Sequence, residues 1–161
     1  MKKKGSALLI VIIVMMVVFT LAAYMIDTSI KSNRQALGTY YKTKAYYSAE
    51  TGMYDFINII NEDIHENIDN DNLSIYAGKT ITNYYNNSGL YDDNMEVYKA
   101  RLVKDVSISV IDNYTKKYTF QIYSSGNYSS QGCIIIADVS IVYVNNNYES
   151  YSIDSKKIYK S

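Results

Sequence analysis

The sequence predicts an α+β protein: a long N-terminal helix, apolar in its first half and amphipathic in its second, packed on a C-terminal antiparallel meander of about four strands. Three observations predict it. Residues 7–26 carry no charge, Gly or Pro. Apolar residues then recur at steps of three and four as far as Ile68. The last third of the chain alternates apolar and polar residues with period two, broken by clusters of Asn, Ser and Gly.

The first segment is uncharged for about 20 residues, some 30 Å of helix, which matches the hydrocarbon core of a bilayer. Lys2, Lys3 and Lys4 precede it, so the positive-inside rule keeps the N-terminus in the cytoplasm and sends the remainder outside. A secretory signal has a shorter apolar core, and Leu21-Ala22-Ala23 is a poor small-x-small cleavage site because Leu21 is bulky.

Charge returns after Ile26, but nothing ends the helix before about residue 67: there is no Pro, and Gly38 and Gly52 are isolated. Ala45, Ala49, Met53, Phe56, Ile57, Ile60, Ile64 and Ile68 fall on one face. Residues 69–96 are polar and Asn-rich, with Asn86-Asn87-Ser88-Gly89 as a turn cluster, and read as the connection from helix to sheet. Val106, Ile108 and Val110 alternate with serines, and Tyr118, Phe120 and Ile122 form a second alternating run. A turn-rich stretch over 124–132 leads into a third run over 133–144. Asn145-Asn146-Asn147 is a hairpin turn, and 148–159 a last, weaker strand.

Composition limits function. The 161 residues include 16 basic and 16 acidic ones, a formal net charge of zero, which gives no general attraction to nucleic acid or anionic surfaces. Cys133 is the single cysteine and has no internal disulfide partner. His65 is the only histidine; with the acids around it, it makes a poor metal ligand set, and a solvated helix residue is the plainer reading. Asp92-Asp93 and Asp69-Asn70-Asp71-Asn72 lack the spacing and turn Gly of a calcium loop. Cys133 has no base near it in sequence and reads as a small buried hydrophobe. No catalytic set, cofactor motif or metal site is expected.

Lys2-Lys3-Lys4-Gly5-Ser6, running directly into apolar residues, resembles the processing site of type IV prepilins. The segment Ala45-Tyr46-Tyr47-Ser48-Ala49-Glu50-Thr51-Gly52 resembles the A-Y-Y-x-A-E-x-G pattern of PilX-like minor pilins. The resemblance covers roughly residues 1–60 and implies cleavage between Gly5 and Ser6 by a membrane-embedded prepilin peptidase, with methylation of the new amine on Ser6. It implies a layout of leader 1–5, membrane and filament-core helix 6–26, amphipathic continuation 27–68, connecting loop 69–96 and sheet head 97–161. It also implies partners: other major and minor pilins, the peptidase, an assembly platform protein with its ATPase, and membrane lipid before assembly. Most pilins of the family carry a Glu where this chain has Ile10, a carboxylate thought to pair with a neighbour's N-terminal amine; Ile10 is a departure that points to a minor subunit. The alternative is a single-pass anchored head that binds or senses a ligand outside the cell.

Several residues carry two readings. Glu50 and Gly52 are either assembly contacts or, respectively, a solvated helix residue and a close-packing point against the sheet. Lys31, Arg34, Lys42 and Lys44 precede a run of acids from Glu50 to Asp71, so staggered subunits bring unlike charges together, or both stretches are simply solvated. The paired tyrosines Tyr40-Tyr41, Tyr46-Tyr47 and Tyr84-Tyr85 are either contact surface or ordinary packing in a Trp-free chain.

Overall fold

The computed structural model describes residues 3–67, 80–85 and 96–160. The elements are α1 (Lys3–Glu66), β1 (Thr80–Tyr85), β2 (Glu96–Val110), β3 (Thr115–Tyr128), β4 (Gln131–Val144) and β5 (Asn147–Lys160). The strands form one antiparallel sheet in sequence order, a five-stranded meander. The chain divides into two units, residues 1–39 and 40–161.

In the second unit one face of the sheet carries α1. Ala45, Ala49, Met53, Phe56, Ile57, Ile60 and Ile64 are all buried, and they meet a floor built from Ala100, Tyr118, Phe120, Ile122, Ile135, Ala137, Val139, Ile141 and Tyr143. The inward residues of β3 and β4 alternate with partly exposed ones, as a sheet covered on one face requires. The expected stripe is therefore the helix face that packs; Ile68, its last member, lies outside the described residues. The stripe begins late. Residues 27–37 of the amphipathic continuation are exposed and belong to the first unit. The last turn closes on Asn67, whose backbone N–H donates to Asp63 O and Ile64 O, both at 3.2 Å, and whose side chain donates to Asp63 O at 3.0 Å.

Two strand assignments change, and the last run is the expected strand at full length. The expected connection over 69–96 contains a strand, β1, which pairs Thr80 with Arg101 through Tyr85 with Glu96 at one edge of the sheet. Its sequence, TITNYY, has β-forming residues, but its Asn and its short length hide the alternation. Residues 124–128 belong to β3, not to a turn; only Ser129-Ser130 turns the chain, with Ser129 at φ 54°. Small polar residues there are a packing device, described below. The last run is a full-length strand that pairs from Cys133↔Lys160 to Val144↔Asn147. The Asn145-Asn146 turn has φ of 53° and 61°, the two left-handed positions that a two-residue hairpin favours and asparagine tolerates. Asn145 N–H also donates to Tyr114 O at 2.8 Å, tying this hairpin to the β2–β3 loop, where Asp112 accepts from the Tyr114 N–H at 2.8 Å. The cluster Asn86-Asn87-Ser88-Gly89 and the acids at 69, 71, 92 and 93 lie outside the described residues.

Candidate functional site

Two features of α1 concern function: its apolar first segment and its packed seam on the sheet. In the first unit, every side chain from Leu8 to Ile26 is exposed, including Phe19 at 71% and Ile10 at 58%. Leaving one large apolar side chain in water forgoes about 1.5–3 kcal/mol, so exposure of this stretch to water is unfavourable. The helix is long and apolar enough to cross a membrane. Two of its threonine hydroxyls are satisfied locally: Thr20 donates to Val17 O and Thr28 to Tyr24 O, each at 2.8 Å. The Thr20 hydroxyl, in the middle of the segment, thus needs no water. At its end Lys31 pairs with Asp27 at 2.6 Å, an exposed one-turn pair of small energetic weight. Lys3, Lys4, Gly5 and Ser6 lie in the first turns of α1, and Lys2 lies outside the described residues.

The seam lies between the motif segment 45–52 and the strands β2, β3 and β5. Ala45 and Ala49 put only methyl groups toward β3, where Gly126 faces them; a Cβ on Gly126 would overlap the backbone of both. One and a half turns further along, Gly52 faces Tyr98 and Ser124: its Cβ would stand 2.6 Å from the Tyr98 ring and 2.8 Å from Ser124 Oγ. Ser124, fully buried, donates to Ala49 O at 2.7 Å. Small residues on both sides thus let the helix backbone approach the sheet, and one hydroxyl stitches them together. Tyr98 completes the seam with a hydrogen bond from its hydroxyl to Asp55.

Glu50 is paired, not solvated. Lys156, from edge strand β5, reaches its carboxylate at 2.5 Å, and Tyr46 OH donates to the same oxygen at 2.8 Å. Lys156 also donates to Tyr46 OH at 3.0 Å. The two charged side chains are only 24% and 22% exposed. Burial disfavours the charge on Glu50, but the hydrogen bonds from Lys156 and Tyr46 and the Lys156 charge outweigh it and hold the carboxyl below the ordinary range. Burial likewise opposes the charge on Lys156, and Glu50 and Tyr46 overcome it to raise the ammonium above its usual value. The triad locks β5 to the helix. Both groups are held in their charged forms.

Among the other residues singled out from sequence, Tyr46 joins this triad while Tyr47 is 58% exposed. Tyr40 and Tyr41 pack with Tyr128 at ring distances of 6.0 and 5.6 Å. The side chains of Tyr84 and Tyr85 lie outside the described residues. His65 is exposed and stacks at 6.4 Å on Tyr143, whose hydroxyl donates to Asn61 O at 2.9 Å. Cys133 is buried, and burial raises its thiol pKa, the reverse of what a nucleophile needs. Among the described residues no three His, Cys, Asp or Glu side chains group to hold a metal.

Sequence reasoning missed Lys156, Ser124, Gly126 and Tyr98. Ser124 and Gly126 did leave a signal: small residues two apart in an otherwise alternating strand mark where something presses on its inner face. A scan against protein-family models matches no family, and searches of curated proteins and of solved structures find no match.

Proposed function

We propose that this chain is a minor subunit of a type IV pilus-like filament, held in the cytoplasmic membrane by its apolar helix until assembly moves that helix into the filament core. One observation carries the reading: an uncharged helical segment, exposed from Leu8 to Ile26, follows the Lys-Lys-Lys-Gly-Ser leader, and the same helix supplies the core of a sheet-covered head. A plain anchor explains the apolar stretch. The leader and the Ala45–Gly52 segment add the resemblance to prepilins.

The mechanism is mechanical. Before assembly the helix satisfies its own backbone groups and its Thr hydroxyls, as lipid demands. Prepilin peptidase removes residues 1–5, and Ser6 becomes the methylated N-terminus. Extraction then exchanges lipid contacts for contacts with other stalks. That exchange is nearly neutral in transfer energy, because both surroundings are apolar, so an outside motor sets its direction. By resemblance the motor is a cytoplasmic ATPase acting through a platform protein. Ile10 offers no carboxylate to a neighbour's amine, which suits a subunit added rarely or first.

Filaments sheared from cells and separated from membranes provide the test. The polypeptide is expected among their minor components, in a form lacking the leader. Its confinement to the membrane fraction, in cells that make filaments, would support the anchored-head alternative, which Ile10 also suits.

A further inference from the structure

A small cleft opens on the sheet face turned away from α1, at the end of the head where Gly126 meets Ala45 and Ala49. Its volume is about 270 Å³, and Tyr123, Ser125, Asn127, Gly132, Ile134 and Tyr159 line it. The register explains the hollow. Ser125, Ile134 and Tyr159 stand side by side across β3, β4 and β5, and Asn127 faces Gly132 in the next row. Gly132 brings no side chain, so the surface drops between Asn127 and Ile134. Tyr123 and Tyr159 stand on β3 and β5, two inter-strand spacings apart, about 9–10 Å, with β4 as the floor between them. Arg101 covers the Tyr123 ring from the β2 side, at 5.0 Å from its centre.

The polar groups of this lining are of one kind. Tyrosine and serine hydroxyls and the asparagine amide all both donate and accept hydrogen bonds. Among the described residues, no hydrogen bond engages the Tyr123 hydroxyl, the Tyr159 hydroxyl or the Asn127 amide. Ser125 Oγ donates to Lys99 O at 3.4 Å, which leaves its oxygen able to accept. Lys160 is the one charged residue of the lining, and its ammonium sits 5.7 Å from the Tyr46 ring centre, on the face covered by α1. Charge therefore does not select the occupant. Nor do backbone groups, because β4 is paired on both sides.

We propose that this cleft is a saccharide-binding site, which takes one pyranose ring between Tyr123 and Tyr159 with its hydroxyls on Asn127 and Ser125. A pyranose has apolar C–H faces and a rim of hydroxyls that donate and accept. It thus matches aromatic walls and a two-way hydrogen-bonding rim at once. An added peptide strand needs unpaired backbone groups, which the central strand β4 lacks. An anionic ligand needs cations aimed at it, and the only one in the lining is turned away. The site stands on strands, so its walls are preorganised. The inference goes beyond the filament reading. A single copy carries the whole site, which suits a subunit present in few copies and an anchored head alike.

The test uses the full chain in micelles of a detergent without a sugar head group. It is applied to an array of immobilised hexose, N-acetylhexosamine and uronic-acid oligosaccharides, and titrated with the same oligosaccharides free. The wild type is expected to bind at least one. Binding of the free form marks a soluble saccharide as a sufficient ligand, and binding of the immobilised form alone marks a surface-borne glycan. Tyr123→Ala and Tyr159→Ala are each expected to weaken binding by about tenfold or more, and Asn127→Ala by about threefold to tenfold. Tyr151→Ala removes an exposed tyrosine from the other face of the sheet and should leave binding unchanged. Folding of each variant is checked by its unfolding transition. Tyr159 is 53% exposed, so its variant keeps the test decisive even where Tyr123→Ala does not fold. No binding by the folded wild type, binding indifferent to Tyr159→Ala and Asn127→Ala, or an equal loss in Tyr151→Ala overturns the site. None of these outcomes bears on N-terminal processing, so the filament reading stands or falls separately.

Discussion

The Ser124 hydroxyl donates to the Ala49 carbonyl at 2.7 Å, joining β3 to the helix across 75 residues of sequence. That carbonyl sits within α1, so it takes a second hydrogen bond in addition to its helical one. Such a bond forms only where helix and sheet backbones run close. Closeness in turn requires Ala45, Ala49, Gly52 and Gly126 to be small.

The glycines should therefore rank by what a methyl group meets. Gly126→Ala drives a Cβ into the Ala45 and Ala49 backbones, which have no rotamer to yield, and should cost more than about 3 kcal/mol. Gly52→Ala meets the Tyr98 ring and the Ser124 hydroxyl, which give partly, and should cost about 1–3 kcal/mol. Gly38→Ala meets nothing within 4 Å and should stabilise the helix by up to about 1 kcal/mol. Thermal unfolding of the full chain in detergent reads all three, and a Gly126→Ala variant as stable as wild type would contradict the close-approach geometry.

Removing one partner of the Glu50–Lys156 pair strands the other in a half-buried site. Lys156→Met or Glu50→Gln should each cost about 1–3 kcal/mol, and the double variant less than their sum. The pH dependence follows from the two shifts. Glu50 is lowered, so its contribution is complete above the ordinary carboxylate pKa of about 4.3 and lost as pH falls through its lower folded value. Lys156 is raised, so its contribution is complete below about 10.4 and lost as pH rises through its higher folded value. The stability gap between wild type and Glu50→Gln should thus be flat from about pH 5 to 10 and shrink outside that window. A gap that grows below pH 4 would have the wrong sign.

Much of this architecture was legible in the sequence, and the failures share one cause. The buried stripe from Ala45 to Ile64 was readable because each residue's apolarity states which side it faces. The Asn145-Asn146 turn was readable because few residues accept two left-handed positions. What failed depends on a partner distant in the chain. Ser124 and Gly126 look like turn residues until the helix is laid over them. Glu50 looks like any solvated helix acid until Lys156 arrives from 106 residues away. β1 is short, and its pairing with β2 is what establishes it.

Ser48 makes a further prediction. It lies inside the Ala45–Gly52 segment at 5% exposure, and its hydroxyl has no hydrogen-bond partner among the described residues. Burying an unsatisfied hydroxyl is unfavourable. Ser48→Ala should leave stability unchanged or raise it by up to about 1 kcal/mol. A loss above 1 kcal/mol in the unfolding transition would mean that the hydroxyl is bonded.

The most direct measurement is the mass of the mature N-terminus, taken on protein purified from cells with an active prepilin peptidase. Passage of the helix from membrane to filament requires that residues 1–5 be gone and that Ser6 carry one methyl group on its amine. A chain that still begins at Met1 or Lys2, with no methylated Ser6 form beside it, would contradict the filament function and leave a tethered surface domain.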